Sequence, residues 1–282
     1  MTRKPVSRFA AVAALGTVLA ALAAPAHAEW ALNMTKGVTT LSDHIYSLHM
    51  EVFYWCCGIG VFVFGWMVLS MVRYRKSQGA VPDTKMVHST KVEIIWTVVP
   101  VLILVIMAVP AARTLVQIED TSGSTVNIKV TGYQWKWQYE YLDSGVSIFS
   151  TLARDSDAAR QLGSGVDVTQ IPNYLLEVDN RLVVPVGAKV RLLITSQDVI
   201  HAWWVPALAI KKDAIPGFVN EAWFEVRADK AGVYRGQCVE LCGRDHGFMP
   251  IVVEAKSPED YAAWLASKKP APAPAAAAVA AN

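Results

Sequence analysis

Two uncharged apolar stretches dominate the first half of the chain, at residues 52–72 and 94–112, and charged residues flank both. At a rise of about 1.5 Å per residue, each stretch is long enough to cross about 30 Å of hydrocarbon as a helix. We therefore predict a transmembrane hairpin in the segment 29–113, with spans at about 50–72 and 94–113. A buried hairpin of a soluble protein is the alternative, and two such lengths in succession disfavour it.

The first 28 residues have the pattern of a secretory signal peptide. A basic start precedes an Ala-rich apolar run, and Ala26-His27-Ala28 matches an A-x-A cleavage site. An uncleaved membrane anchor is the alternative. The loop between the two predicted spans opposes one acid, Asp83, with five cations, which places it in the cytoplasm and both termini outside. These cations are Arg73, Arg75, Lys76, Lys85 and Lys91.

The segment 114–267 alternates short β-rich runs with turn signals, which predicts an antiparallel sandwich or barrel. Residues 151–172 are rich in Ser, Asp and Gly and are expected to form an inserted loop. Ser257-Pro258-Glu259-Asp260 predicts a helix start, and residues 268–282 form an Ala/Pro-rich tail that we expect to be disordered. The predicted strands are 126–130, 135–141, 182–186, 189–196, 221–226, 232–237 and 249–254.

Charge is divided unevenly along the chain, although the formal net charge is only +2. Residues 1–113 contain ten basic and five acidic side chains, whereas residues 114–267 contain 14 basic and 19 acidic ones. A basic surface for nucleic acid is therefore not expected. The negative C-terminal domain is instead suited to a cationic partner.

The most informative motif lies between Cys238 and Met249. It combines two thiols, an imidazole and a thioether, because Cys242 and His246 stand between those two residues. Such soft or borderline donors favour copper over magnesium or calcium. A mononuclear blue-copper site uses a single Cys, so two cysteines exceed its needs, and His201 is the natural second imidazole. A plain disulfide between the cysteines is the alternative, but it leaves the imidazole and the thioether unexplained.

Four features in the same order resemble cytochrome c oxidase subunit II over roughly residues 45–264. They are the two-span hairpin, the segment Gly132-Tyr133-Gln134-Trp135-Lys136-Trp137-Gln138-Tyr139-Glu140-Tyr141, the tripeptide Val199-Ile200-His201 and the Cys-x3-Cys-x3-His-x2-Met loop. The resemblance implies a membrane α-helical hairpin followed by an all-β, cupredoxin-like Greek-key barrel or sandwich. It also implies a bacterial inner-membrane location with the β domain in the periplasm.

The resemblance further implies a dinuclear copper centre, called CuA. Cys238 and Cys242 would bridge two copper ions, and His201 and His246 would each bind one of them. The weak ligands would be Met249 and, in the same set, the backbone carbonyl of Glu240.

Three satellite roles follow from the same resemblance. The side chain of Glu240 would help to bind magnesium at the interface with subunit I, Trp135 would admit electrons from cytochrome c, and Glu93 would mark the mouth of a proton path. Each residue also has a plainer interpretation. In that interpretation the two acids are a solvent-facing loop residue and an interfacial charge, and the tryptophan is a packing residue.

Acidic side chains close in sequence to Trp135 or His201 are candidates for docking the donor. Two positions depart from the usual family pattern: Lys136 stands where an aromatic is common, and Phe218 stands where an arginine is common. The candidate docking acids are Glu140, Asp143, Asp179 and Asp198.

The implied function is that of subunit II in a haem–copper terminal oxidase. Electrons would pass from cytochrome c through CuA to haem in subunit I, where oxygen is reduced to water with proton translocation. Subunit I, subunit III and the lipid bilayer are the expected partners, and no haem is expected on this chain because Cys-x-x-Cys-His is missing. The rivals are a quinol oxidase subunit, which lacks the copper donors, and a copper carrier.

Overall fold

The computed structural model describes residues 33–81, 84–85 and 88–269. The predicted signal peptide, residues 1–28, lies outside the described residues, as does the predicted tail from residue 270 onward. The residues from Thr35 onward belong to one compact unit.

Two long helices, α1 (Thr40–Arg73) and α2 (Thr90–Glu119), contain the predicted spans. Both are long and apolar enough to cross a membrane. Their central side chains project outward, with Phe62 71% exposed, as expected for a surface covered by lipid. Both helices are longer than the apolar stretches predicted. Thr39 explains the early start of α1, because its side chain and that of Ser42 cap each other's backbone N–H groups.

The remainder is a sandwich of two five-stranded sheets, as counted over the described residues. Sheet one has the order β3-β2-β1-β5-β8, and sheet two has the order β4-β10-β9-β6-β7. The strands are β1 (Val126–Tyr133), β2 (Lys136–Tyr141), β3 (Val146–Ser150), β4 (Leu182–Pro185), β5 (Lys189–Ser196), β6 (His201–Val205), β7 (Ile210–Ala214), β8 (Asn220–Glu225), β9 (Gly232–Cys238) and β10 (Pro250–Lys256).

The prediction of antiparallel sheets was wrong in part, because the sheets are mixed. β1 pairs with β5 in parallel, and β4 pairs with β10 in parallel. Parallel neighbours need a long crossover between them, and the chain supplies it with β2 to β4 between β1 and β5, and with β5 to β9 between β4 and β10. Three strands, β3, β6 and β7, were not predicted. The two sheets enclose a core of alternating inward residues that includes Trp137, Trp203 and Phe224, all fully buried.

The segment predicted as an inserted loop contains a short helix, α3 (Arg154–Ala159). Ser156 is buried there, and its hydroxyl accepts a hydrogen bond from the backbone N–H of Leu175. The predicted helix start at Ser257 is confirmed. Its hydroxyl accepts from Asp260 N–H at the beginning of α4 (Pro258–Lys268).

The N-terminal end of α1 and the C-terminal end of α2 are bonded to the sandwich. The backbone of Thr39 pairs with Val226 beyond β8, and Arg227 forms a 2.6 Å ion pair with Asp43 of α1. On α2, the carbonyl of Gln117 accepts a hydrogen bond from Nε1 of Trp223. Helix and sheet are thus fastened to each other by both backbone and side-chain bonds.

Candidate metal centre

The predicted donors meet at one end of sheet two. Strands β6 and β9 are paired there, so His201 at the start of β6 lies beside Cys238 at the end of β9. The loop beyond β9 turns back through Cys242 and a 3₁₀ turn at His246–Phe248, and it then enters β10 after Met249. Pairing of β9 with β10 closes this loop over the donors.

The donor atoms form one cluster. The Sγ atoms of Cys238 and Cys242 are 3.8 Å apart, and the Nδ1 atom of His201 lies 3.9 Å from the first of these sulfurs. The second sulfur lies 3.4 Å from Nδ1 of His246 and 3.5 Å from Sδ of Met249. All four cysteines within the described residues are free thiols, so the alternative of a Cys238–Cys242 disulfide is not what the structure contains.

The cluster is shielded from solvent, since His201 is fully buried and both cysteines and Met249 are nearly so. Burial tends to raise the pKa of the Cys238 thiol, but hydrogen bonds from His201 and the backbone outweigh it and lower that pKa. Burial, together with negative charge on Cys238, raises the pKa of Cys242 to about 12. Two thiolates are therefore costly here unless a cation lies between them.

Asp198 orients the buried imidazole. Its Oδ1 atom lies 2.9 Å from Nε2 of His201, so the Nδ1 atom of that ring is turned toward the sulfurs. Burial works against the imidazolium, yet the bonds to Cys238 and Asp198 raise the pKa of His201 overall. A carboxylate on the outer nitrogen is the usual support of a metal-binding histidine. The sequence predicted only a docking role for Asp198. Its position three residues before His201 was the signal that could have indicated this supporting contact.

A glycine of β1 provides the space for His201. A Cβ atom built at Gly132 would lie 2.8 Å from Cδ2 of the imidazole, which is closer than real contacts of this kind. On the same side, Trp137 stacks edge-on to the imidazole with ring centroids 5.9 Å apart. The imidazole thus lies in a slot between β1 and a fully buried indole.

We expect Gly132→Ala to destabilise the folded chain by about 1–3 kcal/mol, the usual cost of overpacking a filled interior. The imidazole of His201 must shift from its position to admit the new methyl group. Thermal unfolding of the full chain in detergent measures the effect. Gly232→Ala is the matched control, because a Cβ there meets Tyr234 Oη at an ordinary 3.5 Å. Equal unfolding midpoints for both variants would contradict the claim that the missing side chain of Gly132 provides the space for His201.

The predicted entry residue touches the donor loop directly. Nε1 of Trp135 donates to the carbonyl oxygen of Cys242 at 3.2 Å, and Nε2 of Gln134 donates to the same oxygen at 2.9 Å. This approach needs Gly243, whose φ of +120° and missing side chain leave room for both groups. The partly buried indole therefore links the surface to a residue of the thiol pair.

The two remaining predicted acids lie at different places. The carbonyl oxygen of Glu240 is 3.5 Å from Sγ of Cys238, and the Glu240 side chain is exposed on the donor loop. Glu93 lies in the first turn of α2, at the opposite end of that helix from the sandwich. The structure thus brings Glu240 to the cluster and leaves Glu93 far from it.

Each of the four candidate docking acids has a partner within the chain. The partners are Lys129 for Glu140, Asn127 for Asp143, Thr151 for Asp179, and His201 with the backbone N–H of Gln134 for Asp198. Asp198 thus adjoins the Trp135 segment. Glu140 lies on β2, five residues after Trp135, which corresponds to about 16 Å at the usual rise per residue of a strand. The four acids therefore do not form one patch around Trp135.

Comparisons with known proteins agree with this architecture. Residues 27–113 match the family described as cytochrome c oxidase subunit II, transmembrane domain, and residues 126–256 match its periplasmic domain. The probable cytochrome c oxidase subunit 2 of Rickettsia bellii (strain RML369-C) is 41% identical over 239 residues, covering 85% of this chain and 84% of the relative. Cytochrome c oxidase subunit 2 of Arabidopsis thaliana is 38% identical over 240 residues, covering 85% and 90%.

Among solved structures, the periplasmic domain of subunit II of cytochrome oxidase from Bradyrhizobium japonicum is 41% identical to this chain. The match covers 53% of this chain and 96% of that one, with a TM-score of 0.44.

Two apolar helices joined to a β sandwich with a buried His/Cys/Cys cluster define a membrane-anchored domain whose site is compatible with copper. The chain belongs to the cytochrome c oxidase subunit II family. It is accordingly a subunit of an oxidoreductase complex, and its two long helices fit a membrane protein with two spans. The predicted fold class is confirmed.

Proposed function

We propose that this chain holds a two-copper CuA centre and admits electrons from cytochrome c into a bacterial haem–copper oxidase. The observation that carries the proposal is the donor cluster: ligand atoms of His201, Cys238 and Cys242 all lie within 4.8 Å of one another. The imidazole of His246 and the thioether of Met249 complete the same group. A bound pair of coppers would supply one-electron redox chemistry.

The donor set fits copper by its chemistry. Two thiols, two imidazoles and a thioether are soft or borderline donors, which copper favours and magnesium does not. Cys238 and Cys242 would bridge, His201 and His246 would bind through Nδ1, and Met249 would be a weak ligand. The Glu240 carbonyl would be the other weak ligand. Asp198 holds the outer nitrogen of His201, so the imidazole is already oriented for binding.

The chain's own residues provide a rigid and dry setting for electron transfer. Trp137 and the β1 backbone hold the imidazole of His201, while Trp135 joins the partner-facing surface to the Cys242 carbonyl. Donors held in fixed positions would keep the change in coordination small when bound copper is reduced. With all of these donors bound to copper, the site would have no position for a substrate, which suits electron transfer rather than catalysis at the metal.

Two further assignments concern subunit I. The exposed carboxylate of Glu240 is available to bind magnesium at that interface while the carbonyl of the same residue faces Cys238. Glu93 would open a proton path from the cytoplasmic side.

Both termini and the sandwich would lie in the periplasm after removal of residues 1–28. Subunit III would complete the core of the complex.

Stopped-flow reduction of the copper-loaded oxidase by cytochrome c tests the proposed function. The rate is expected to fall as added salt shortens the Debye length from about 10 Å at 0.1 M, because an acidic domain attracts a basic donor. Glu140→Gln should raise the KM for cytochrome c and flatten this dependence. A chain that takes up only zinc would overturn the copper assignment. A rate that does not fall with salt would overturn only acidic docking.

The surface around Trp135 also carries positive charge. Nζ of Lys136 lies 4.5 Å from the ring centroid of Phe149, and the guanidinium of Arg244 lies 5.7 Å from that of Trp135. These cations oppose the attraction by Asp198 in the immediate neighbourhood. Long-range steering is thus assigned to the net charge of the domain, which acts on the association rate.

Glu93→Gln is expected to slow steady-state turnover of the oxidase while copper reduction by cytochrome c keeps its rate. The amide has nearly the same shape but cannot take up a proton. Oxygen consumption and stopped-flow absorbance measure the two steps. Glu119→Gln, at the outer end of the same helix, is the control. Full turnover by the Glu93 variant would return this residue to the role of an interfacial charge.

A further inference from the structure

The structure assigns to Arg160 the role of a positioning residue for the His246 side of the metal centre. This side chain comes from the segment 151–181, which connects β3 to β4 and contributes no donor to the cluster. It nevertheless reaches the 3₁₀ turn that carries His246. The inference deepens the proposed function and rests on it.

Arg160 contacts residues on both sides of His246. Its Nη1 atom lies 3.5 Å from Oδ1 of Asp245, and its guanidinium carbon lies 4.2 Å from the ring centroid of Phe248. The turn between them is otherwise open, because a Cβ atom built at Gly247 would meet nothing within 4 Å. A planar cation stacked on an aromatic face and paired with a carboxylate fixes both position and direction.

Arg160 is itself held in place. Its Nε atom donates to Oδ1 of Asp157 at 2.7 Å, and its backbone N–H donates to Ser156, whose side chain is buried. Only 21% of the Arg160 side chain is exposed, and the Asp245 side chain is 16% exposed. A partly buried, doubly paired guanidinium of this kind moves little, unlike a surface arginine.

The segment that presents Arg160 is fastened to the strand that leads to the first cysteine. Oε2 of Glu177 pairs with Arg235 of β9 at 2.7 Å, and the carbonyl of Glu177 accepts the backbone N–H of Ala153 at the start of α3. Leu152 and Val178 form a buried bridge beside these bonds. The connection thus joins both ends of the donor loop, the Cys238 strand and the His246 turn.

Loss of this brace should let the His246 turn open and expose the second thiol. In the full chain, we expect Arg160→Met to speed copper release to a copper(I) chelator about tenfold, the scale of a desolvated cation–π contact with its ion pair. Arg160→Lys, which keeps the charge but not the planar group, should fall between wild type and Arg160→Met. The control is Arg154→Met, which changes an exposed arginine at the start of α3 and should match wild type.

Two further measurements separate positioning from a general loss of stability. In electron–nuclear double resonance spectra of the copper-loaded chain, the hyperfine coupling to the nitrogen of His246 should change and that of His201 should not. In the metal-free full chain, Cys242 of Arg160→Met should react faster with a thiol reagent such as Ellman's. If Arg160→Met does not accumulate, Arg160→Lys and Phe248→Leu carry the test. The first keeps the positive charge without the planar group, the second removes only the aromatic face, and both should accelerate copper release.

The inference is overturned if copper release and thiol reaction of the Arg160 variants equal those of wild type. It is also overturned if Arg154→Met accelerates them equally. Failure of the proposed function has a different result, since the wild-type chain itself would then take up no copper. The thiol measurement remains decisive in that case, because it needs no metal.

Discussion

Cys242→Ser is expected to abolish the two-copper centre of the full chain. The Sγ atom of Cys242 lies within 3.8 Å of Cys238, His246 and Met249, so it is the atom that joins the two halves of the cluster. A serine hydroxyl is a hard donor that does not bridge copper at neutral pH. Copper content should fall from two per chain to one or none, and the purple colour of the centre should be lost.

Metal analysis and EPR of the purified protein measure this loss. Wild type should show one unpaired electron shared by two coppers, whereas any copper left in the variant should be localised on one ion. Cys56→Ser is the matched control, because this cysteine is exposed on α1 and distant from the cluster. A Cys242→Ser chain that still holds two electronically coupled coppers would contradict the bridging role.

Trp135→Gln is expected to slow reduction by cytochrome c by at least on the order of tenfold, an added barrier of about 1.4 kcal/mol, without weakening donor binding. The indole lies at the surface and donates to the carbonyl of Cys242, so it offers a short route from the donor to the thiol pair. Trp135→Phe keeps an aromatic ring but no N–H group, and its rate should fall between the two.

Stopped-flow reduction at saturating cytochrome c measures the entry step, and the KM reports binding. Trp223→Phe is the control. Its indole also donates to a backbone carbonyl, that of Gln117, but at the junction with α2. Reduction by a small reagent such as dithionite should be unchanged in every variant. A wild-type rate with Trp135→Gln, or an equal loss with Trp223→Phe, would assign Trp135 to packing alone.

The features that the sequence predicted are those that depend on residues close to one another in the chain. The length of the uncharged apolar stretches predicted the two spans. The donor loop was predicted from the spacing of Cys238, Cys242, His246 and Met249. Strand β6 was missed because four of its five residues are buried, so the inside–outside alternation of a strand is absent. Strand β7 was missed for the opposite reason, since its centre, Lys211-Lys212-Asp213, is polar.

The supports of the site were missed because they are distant in sequence. Gly132 meets His201 only through the parallel pairing of β1 with β5, which places the backbone of β1 against the start of β6. Arg160 lies 85 residues before Asp245 and reaches it through a segment that composition alone described as a loop. A carboxylate three residues before a histidine, as in Asp198, is the one support that a sequence reader could have recognised.

The bonds between helices and sandwich couple the orientation of the sandwich to the tilt of the two spans in the bilayer. Because Arg227 pairs with Asp43 near the N-terminal end of α1, a tilt of the hairpin turns the sandwich with it. Spans tilt when hydrocarbon thickness changes. A change of lipid thickness would therefore also change the direction in which Trp135, the proposed entry residue, faces away from the membrane.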